Sequence, residues 1–162
     1  MKNGGLSAIP YAAINSALAG LPPERVRLHV CWGNYDGPHT RDVPLAALLD
    51  HLYRADVGGL VLSGANPRHA HEYREFEARP LPENWTLSAG VIDTTTNYVE
   101  HPEVVADRLE RIVAVVGDAA RVVACTDCGF DTAAGFRDVA PDVAWAKLHA
   151  LREGADLASS RL

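Results

Sequence analysis

The stretch PEVVADRLERIVAVVGDAARVVACTDCGF, residues 102–130, decides the fold. Its first half sets Val105, Leu109, Ile112 and Val116 three or four residues apart, the period of one helix face. Pro102 suits a first helical turn, where its missing N–H would have no intrahelical partner. Gly117 suits the left-handed position that ends a helix. The next run, ARVVACTD at 120–127, is short and rich in β-branched residues and predicts a strand. Asp127 and Cys128 then fall where that strand ends. One helix, one strand and a pair of reactive side chains at the C-terminal end of the strand form the unit.

The same unit recurs along the chain. Strands are predicted at 25–30 (RVRLHV), 57–63 (VGGLVLS) and 86–93 (TLSAGVID). Helices are predicted at 11–20, 42–55, 69–78 and 141–155, the second opening with Pro44 in its first turn. Strands alternating with helices of this length imply βα units on a parallel sheet. No linker or low-complexity segment interrupts residues 1–162, which read as a single domain. The unusual residues all fall at C-terminal strand ends: His29 with Cys31, Ser63, Asp93, and Asp127 with Cys128. In a (β/α)8 barrel that end carries the active site. Four βα units make half of such a barrel, which takes about 250 residues when whole. The expected fold is therefore α/β: half a TIM barrel behind an N-terminal helix.

Composition narrows the function. A formal net charge of −6 with Lys and Arg scattered singly argues against nucleic acid as a partner. No apolar run approaches the ~20 residues that span a membrane. The segment MKNGGLSAIP lacks the apolar core and cleavage site of a secretory leader, which predicts a cytoplasmic protein. Three cysteines in such a chain point to metal or reactive thiols rather than a disulfide framework. His29 and Cys31 are two apart, so a strand turns both to one face.

The segments RLHVCWGN, ANPRHAHE, GVIDTTTNYVEHPE and TDCGF resemble the C-terminal portion of cobalamin-independent methionine synthases, in particular the shorter single-barrel members known as methionine synthase II. The likeness runs from about residue 11 to the end. It implies a TIM barrel and a Zn²⁺ ion held by His29, Cys31 and Cys128, where a substrate thiol is activated to receive a methyl group. Thiolate and imidazole are apt donors for Zn²⁺. Two departures stand out. The family's further ligand is a Glu at the position of Ser63, so three good protein donors and an open position remain, the pattern of a catalytic zinc. The first half of the barrel is absent. Methionine synthases proper also carry a His after the strand-end Asp, where this chain reads Asp93-Thr94-Thr95.

Other candidates surround this core. Asp93 is expected near the substrate, and Asp127 as a carboxylate that orients its neighbours. His39, on the loop after the zinc pair, is a candidate proton carrier. Cys125 is expected to face away from Cys128 as packing, with a substitute fourth ligand as the other reading. Arg68, His69 and His71 read as a solvated helix face or as groups reaching into the mouth. Trp85 and Trp145 read as packing, Trp32 as lining the site, and His51 and His149 as surface.

The open zinc position first suggests a hydrolase, with zinc-activated water attacking activated esters, lactones or phosphotriesters. The alternative is methyl or alkyl transfer to a zinc-activated thiol, as in homocysteine S-methyltransferases; a non-catalytic zinc-binding fragment is a third reading. The substrate is a small molecule in the first two. A half barrel also leaves one sheet face bare, expected to carry Leu28, Val30, Leu60, Leu62 and Val91 or their alternates. A second copy that pairs edge strand to edge strand would close the barrel as a homodimer.

Overall fold

The computed structural model describes residues 11–133, 135 and 139–162; residues 1–10, read above for a leader, lie outside them. Strands β1 (Leu28–Val30), β2 (Gly59–Leu62), β3 (Thr86–Ile92) and β4 (Val122–Thr126) form one parallel sheet in the order β1-β2-β3-β4. Each parallel step needs a crossover. These contain α2 (Leu45–Leu52), a short α3 (Glu75–Ala78) and α4 (Pro102–Val116). Helix α1 (Tyr11–Leu18) precedes the sheet and α5 (Pro141–Arg161) follows it. This is the half barrel expected from the sequence.

The caps of α4 are those its sequence encodes. Pro102 opens it, His101 accepts a hydrogen bond from the Glu103 N–H, and Gly117 closes it at φ 82° with its N–H donating to Val113 O. Helix α2 starts at Leu45 because Pro44 keeps extended backbone (ψ 144°) as the cap rather than entering the first turn. The helix expected over 69–78 breaks into a 3-10 turn (Glu72–Arg74) and the single turn of α3. His69 and Glu72 turn inward there, so the segment is no solvated face. Helix α5 runs to Arg161 rather than 155, because Gly154 is an interior packing position and not a stop.

The core lies between the sheet and these helices. Leu60, Leu87 and Val91 are buried against Leu45, Leu49, Val105 and Leu109, each burial stabilising by about 1.5–3 kcal/mol. Leu28, Val30, Leu60, Leu62 and Val91, expected on the bare face, all belong to this helix-packed side. The pairing row His29–Val61–Ser88–Val123 belongs to the opposite face. There His29 is exposed and Val123 is 44% exposed. A one-residue error in strand phase exchanges the faces wholesale. Trp85 packs in the core as expected, whereas Trp145 is 73% exposed. It lies about 200° round α5 from Lys147, off the stripe of Lys147, Ala150, Gly154 and Ala158 that α5 buries. Among the described residues no helix is long and apolar enough to cross a membrane.

Candidate metal centre

All four strands deliver polar residues to one end of the sheet. The donor atoms of His29, Cys31 and Cys128 lie within 4.8 Å of one another, and Cys128 Sγ stands 3.5 Å from His29 Nε2. Zn–S near 2.3 Å and Zn–N near 2.1 Å at a tetrahedral angle place S and N about 3.6 Å apart. That pair therefore already keeps zinc spacing. Burial pushes the Cys128 thiol up to about 11; a hydrogen bond with Ser63 opposes this and neighbouring Cys31 adds to it. A divalent cation reverses that balance by taking the sulfurs as thiolates. Chemistry and spacing both fit Zn²⁺.

Asp127 builds the floor. Its Oδ1 accepts from the Gly64 and Ala65 N–H groups (2.9 and 2.8 Å) and its Oδ2 from the Asn66 N–H (2.9 Å). Burial still pushes its carboxyl up to about 6, against those three donors. Gly90 makes this approach possible, since a Cβ there would run into Asp127 Oδ1. Thus Asp127 clips the loop after β2 onto the end of β4. Ser63 Oγ donates to Asp127 O (3.0 Å) and lies 3.7 Å from Cys128 Sγ. Position 63 thus sets a neutral hydroxyl beside a donor sulfur.

Asp93 is held at the next strand end. Its Oδ1 accepts from the Thr95 N–H (2.7 Å), Thr95 Oγ1 (2.9 Å) and Thr96 Oγ1 (3.3 Å). Its own N–H donates to Glu100 Oε1 (2.8 Å), and Glu100 Oε2 is paired at 2.9 Å with fully buried Lys147. Asp93, Ser63, Trp32 and Cys128 line one small cavity. The Glu100–Lys147 anchor escaped sequence reading, although a lysine in the Ala150–Gly154–Ala158 stripe was its signal.

Cys125 does not face away. It lines the same open pocket as His29, Cys31 and Cys128 but stays outside the three-donor group. Burial, with Asp127 and Cys128 adding, pushes its thiol up to about 12. His39 lies apart from this pocket: it is 8% exposed, with Nδ1 2.8 Å from Asp42 Oδ2 and Nε2 3.2 Å from Tyr35 O. His69 is buried too, stacked on Trp32 at 3.8 Å between ring centres. Arg68, His71 and His149 are exposed, and His51 is half-buried beside Tyr11.

No family model matches the chain. It is similar to the 2-hydroxypropyl-CoM lyase of Xanthobacter autotrophicus (strain ATCC BAA-1158 / Py2), with 27% identity over 175 residues covering 93% of this chain and 45% of the relative. Among solved structures it is similar to a B12-independent methionine synthase from Shewanella sp. W3-18-1 in complex with selenomethionine. The TM-score is 0.67 at 24% identity, over 93% of this chain and 43% of that one. The chain thus spans less than half the length of the relatives it matches. The likeness to methionine synthases expected from the motifs is found in the fold, over nearly the whole chain.

Proposed function

We propose that this chain carries the metal half of a zinc-dependent active site that moves an alkyl group onto or off a thiol sulfur. The observation that carries the reading is the His29–Cys31–Cys128 cluster at the sheet's C-terminal end, with Ser63 where a fourth charged ligand would stand. Both named relatives support it, because methionine and 2-hydroxypropyl-CoM each carry an alkyl group on sulfur. Neither name is that of a hydrolase, so hydrolysis of activated esters, lactones or phosphotriesters yields to thiol chemistry here. Bound among these donors, Zn²⁺ would take up a substrate sulfur and hold it as thiolate at neutral pH.

The chain's own residues prepare for that. The Ser63 hydroxyl adds no charge beside Cys128, so the side left for substrate stays open. Asp127 fixes the loop 64–66 and keeps Ser63 and Cys128 in register. Asp93, anchored through Glu100 and Lys147, lies on the shared cavity and would meet the part of the substrate that the sulfur carries. His39 sits one layer back, with its Nδ1 on Asp42. The remaining contacts to the alkyl donor belong to a second set of four βα units, for which we propose a second copy of the chain.

Proton release tests the reading. Zinc-loaded protein given homocysteine or coenzyme M at neutral pH should release about one proton per thiol bound, measured by calorimetry in buffers of different ionisation enthalpy. Cys31→Ser and Cys128→Ser should abolish it. Thiol binding without proton release, or turnover of a phosphotriester or lactone in its place, would overturn the proposal.

A further inference from the structure

The loop after β1 and the segment before α3 form a second cluster that the thiol chemistry does not use. His39 Nδ1 lies 2.8 Å and His69 Nε2 lies 2.9 Å from the same oxygen, Asp42 Oδ2. The donor atoms of these three residues fall within 4.8 Å of one another. Both imidazoles are 5% exposed, and Asp42 at 18% opens one side to solvent.

The second ring nitrogens matter most. His39 Nε2 faces Tyr35 O at 3.2 Å. His69 Nδ1 lies 3.5 Å from Glu72 Oε2 yet makes no well-formed hydrogen bond, and it is buried. All four ring nitrogens thus face oxygen acceptors, and a neutral imidazole has one N–H. Two neutral histidines supply two protons for four acceptor contacts. Unless a ring is charged in this buried site, two of the four nitrogens set a lone pair toward an oxygen, and His69 Nδ1 has no hydrogen bond at all.

A divalent cation removes the conflict. Each histidine then keeps its proton on the outer nitrogen, toward Tyr35 O and the Glu72 carboxylate, and turns an inner lone pair to the metal. Backbone carbonyls and carboxylates are the usual outer partners of metal-bound histidines. Tetrahedral neighbours about 2.1 Å from an ion stand ~3.4 Å apart, so on metal binding the Asp42 oxygen would draw back by about half an ångström from each inner nitrogen. We infer that His39, Asp42 and His69 bind a second divalent transition-metal ion of the zinc class. Two imidazoles and one carboxylate, with no thiolate, suit such an ion. Its place gives it a task. Trp32, next to Cys31 in sequence, stacks on His69 and donates its indole N–H to Val43 O at 2.7 Å. An ion here ties the loop 32–43 to the 69–72 segment, and both border the mouth of the first centre. It supports that mouth through His69, which lines the small cavity shared with Ser63, Asp93 and Cys128.

The inference does not rest on the thiol-alkylation reading, and metal counting separates the two. Purified protein loaded with Zn²⁺ and freed of excess ion should hold two equivalents per chain by elemental analysis. The Cys31→Ser/Cys128→Ser variant should keep one. The His39→Gln/His69→Gln variant should also keep one, and its Co²⁺ form should retain the intense near-ultraviolet sulfur-to-cobalt band that the serine variant loses. Thermal unfolding of the serine variant should still rise with added Zn²⁺, a readout that needs no further substitution. One equivalent in the native chain and none in the serine variant would overturn the inference and leave a protonated hydrogen-bond network in its place. One equivalent that the serine variant keeps and the glutamine variant loses would support this site and defeat the first.

Discussion

At position 63 a single side chain sets how much charge surrounds the first centre. Ser63 Oγ is 3.7 Å from Cys128 Sγ and donates to Asp127 O, so a longer carboxylate there would meet the ion as a fourth ligand. Ser63→Glu should tighten zinc by at least tenfold in competition with a chelator and suppress thiol-linked proton release, because the new ligand occupies the open side. Unchanged zinc affinity would show that position 63 does not face the ion. A second residue gives a pH signature far from the metal. Burial pushes the Tyr53 hydroxyl up to about 12, where it donates to Arg79 O at 3.0 Å. A raised folded value means its stabilising contribution is complete below pH ~10 and is lost as pH climbs from there toward 12. Tyr53→Phe should lower stability by about 1 kcal/mol at neutral pH and flatten the alkaline limb of a stability profile measured with urea. That His29, Cys31 and Cys128 come together was legible because their spacing resembles a family signature. The meeting of His39, Asp42 and His69 was not: Asp42 and His69 are 27 positions apart and meet only through the fold.

Among the elements, legibility followed how completely each one's ends are written in its own residues. Helix α4 carries Pro102, the His101 cap and Gly117 and came out as read. The 69–78 segment has helix-forming residues but turns His69 and Glu72 into a buried polar cluster, a tertiary demand that no local pattern encodes. Strand phase stayed open for a related reason. Parallel strands lack clear polar–apolar alternation, and Gly59–Leu62 reads apolar throughout, so the sequence left Leu60 and Leu62 or their alternates for the bare face, and the fold takes the alternates. The seat of α5 on α4 makes its own prediction. A Cβ on Gly154 would collide with Val105 Cβ and approach Pro102 O to 2.7 Å. Alanine would gain up to ~1 kcal/mol of helix propensity, while overpacking in a fixed interface costs about 1–3 kcal/mol. The clash wins because one of its partners is backbone. Gly154→Ala should therefore lower the urea midpoint; an upward shift would show that the two helices separate freely.

For the whole molecule the question is what completes the barrel. Among the described residues β1 and β4 each pair with one neighbour, which leaves the outer backbone edge of each open there. The face that a whole barrel turns inward carries His29, Val61, Ser88 and Val123. It is less apolar than the leucine-lined face expected, because those leucines already pack under the helices. Association should therefore depend on edge pairing and on a modest patch rather than on a broad hydrophobic interface. A two-fold copy placed so that β4 of each chain pairs with β1 of the other would yield eight parallel strands and set both metal centres at one end. The dimer should dissociate on dilution to monomers that keep their helix-packed core, unlike an interface inseparable from folding. Val123, 44% exposed on the inward face, is the place to test it. Val123→Asp should leave the circular dichroism spectrum and the zinc content intact, since the residue lies outside the core cluster and the donor set. It should nevertheless hold the chain monomeric across a light-scattering dilution series in which the native protein passes from dimer to monomer. A native chain that stays monomeric at its highest soluble concentration would rule out the second copy and leave the other half barrel to come from a different polypeptide segment.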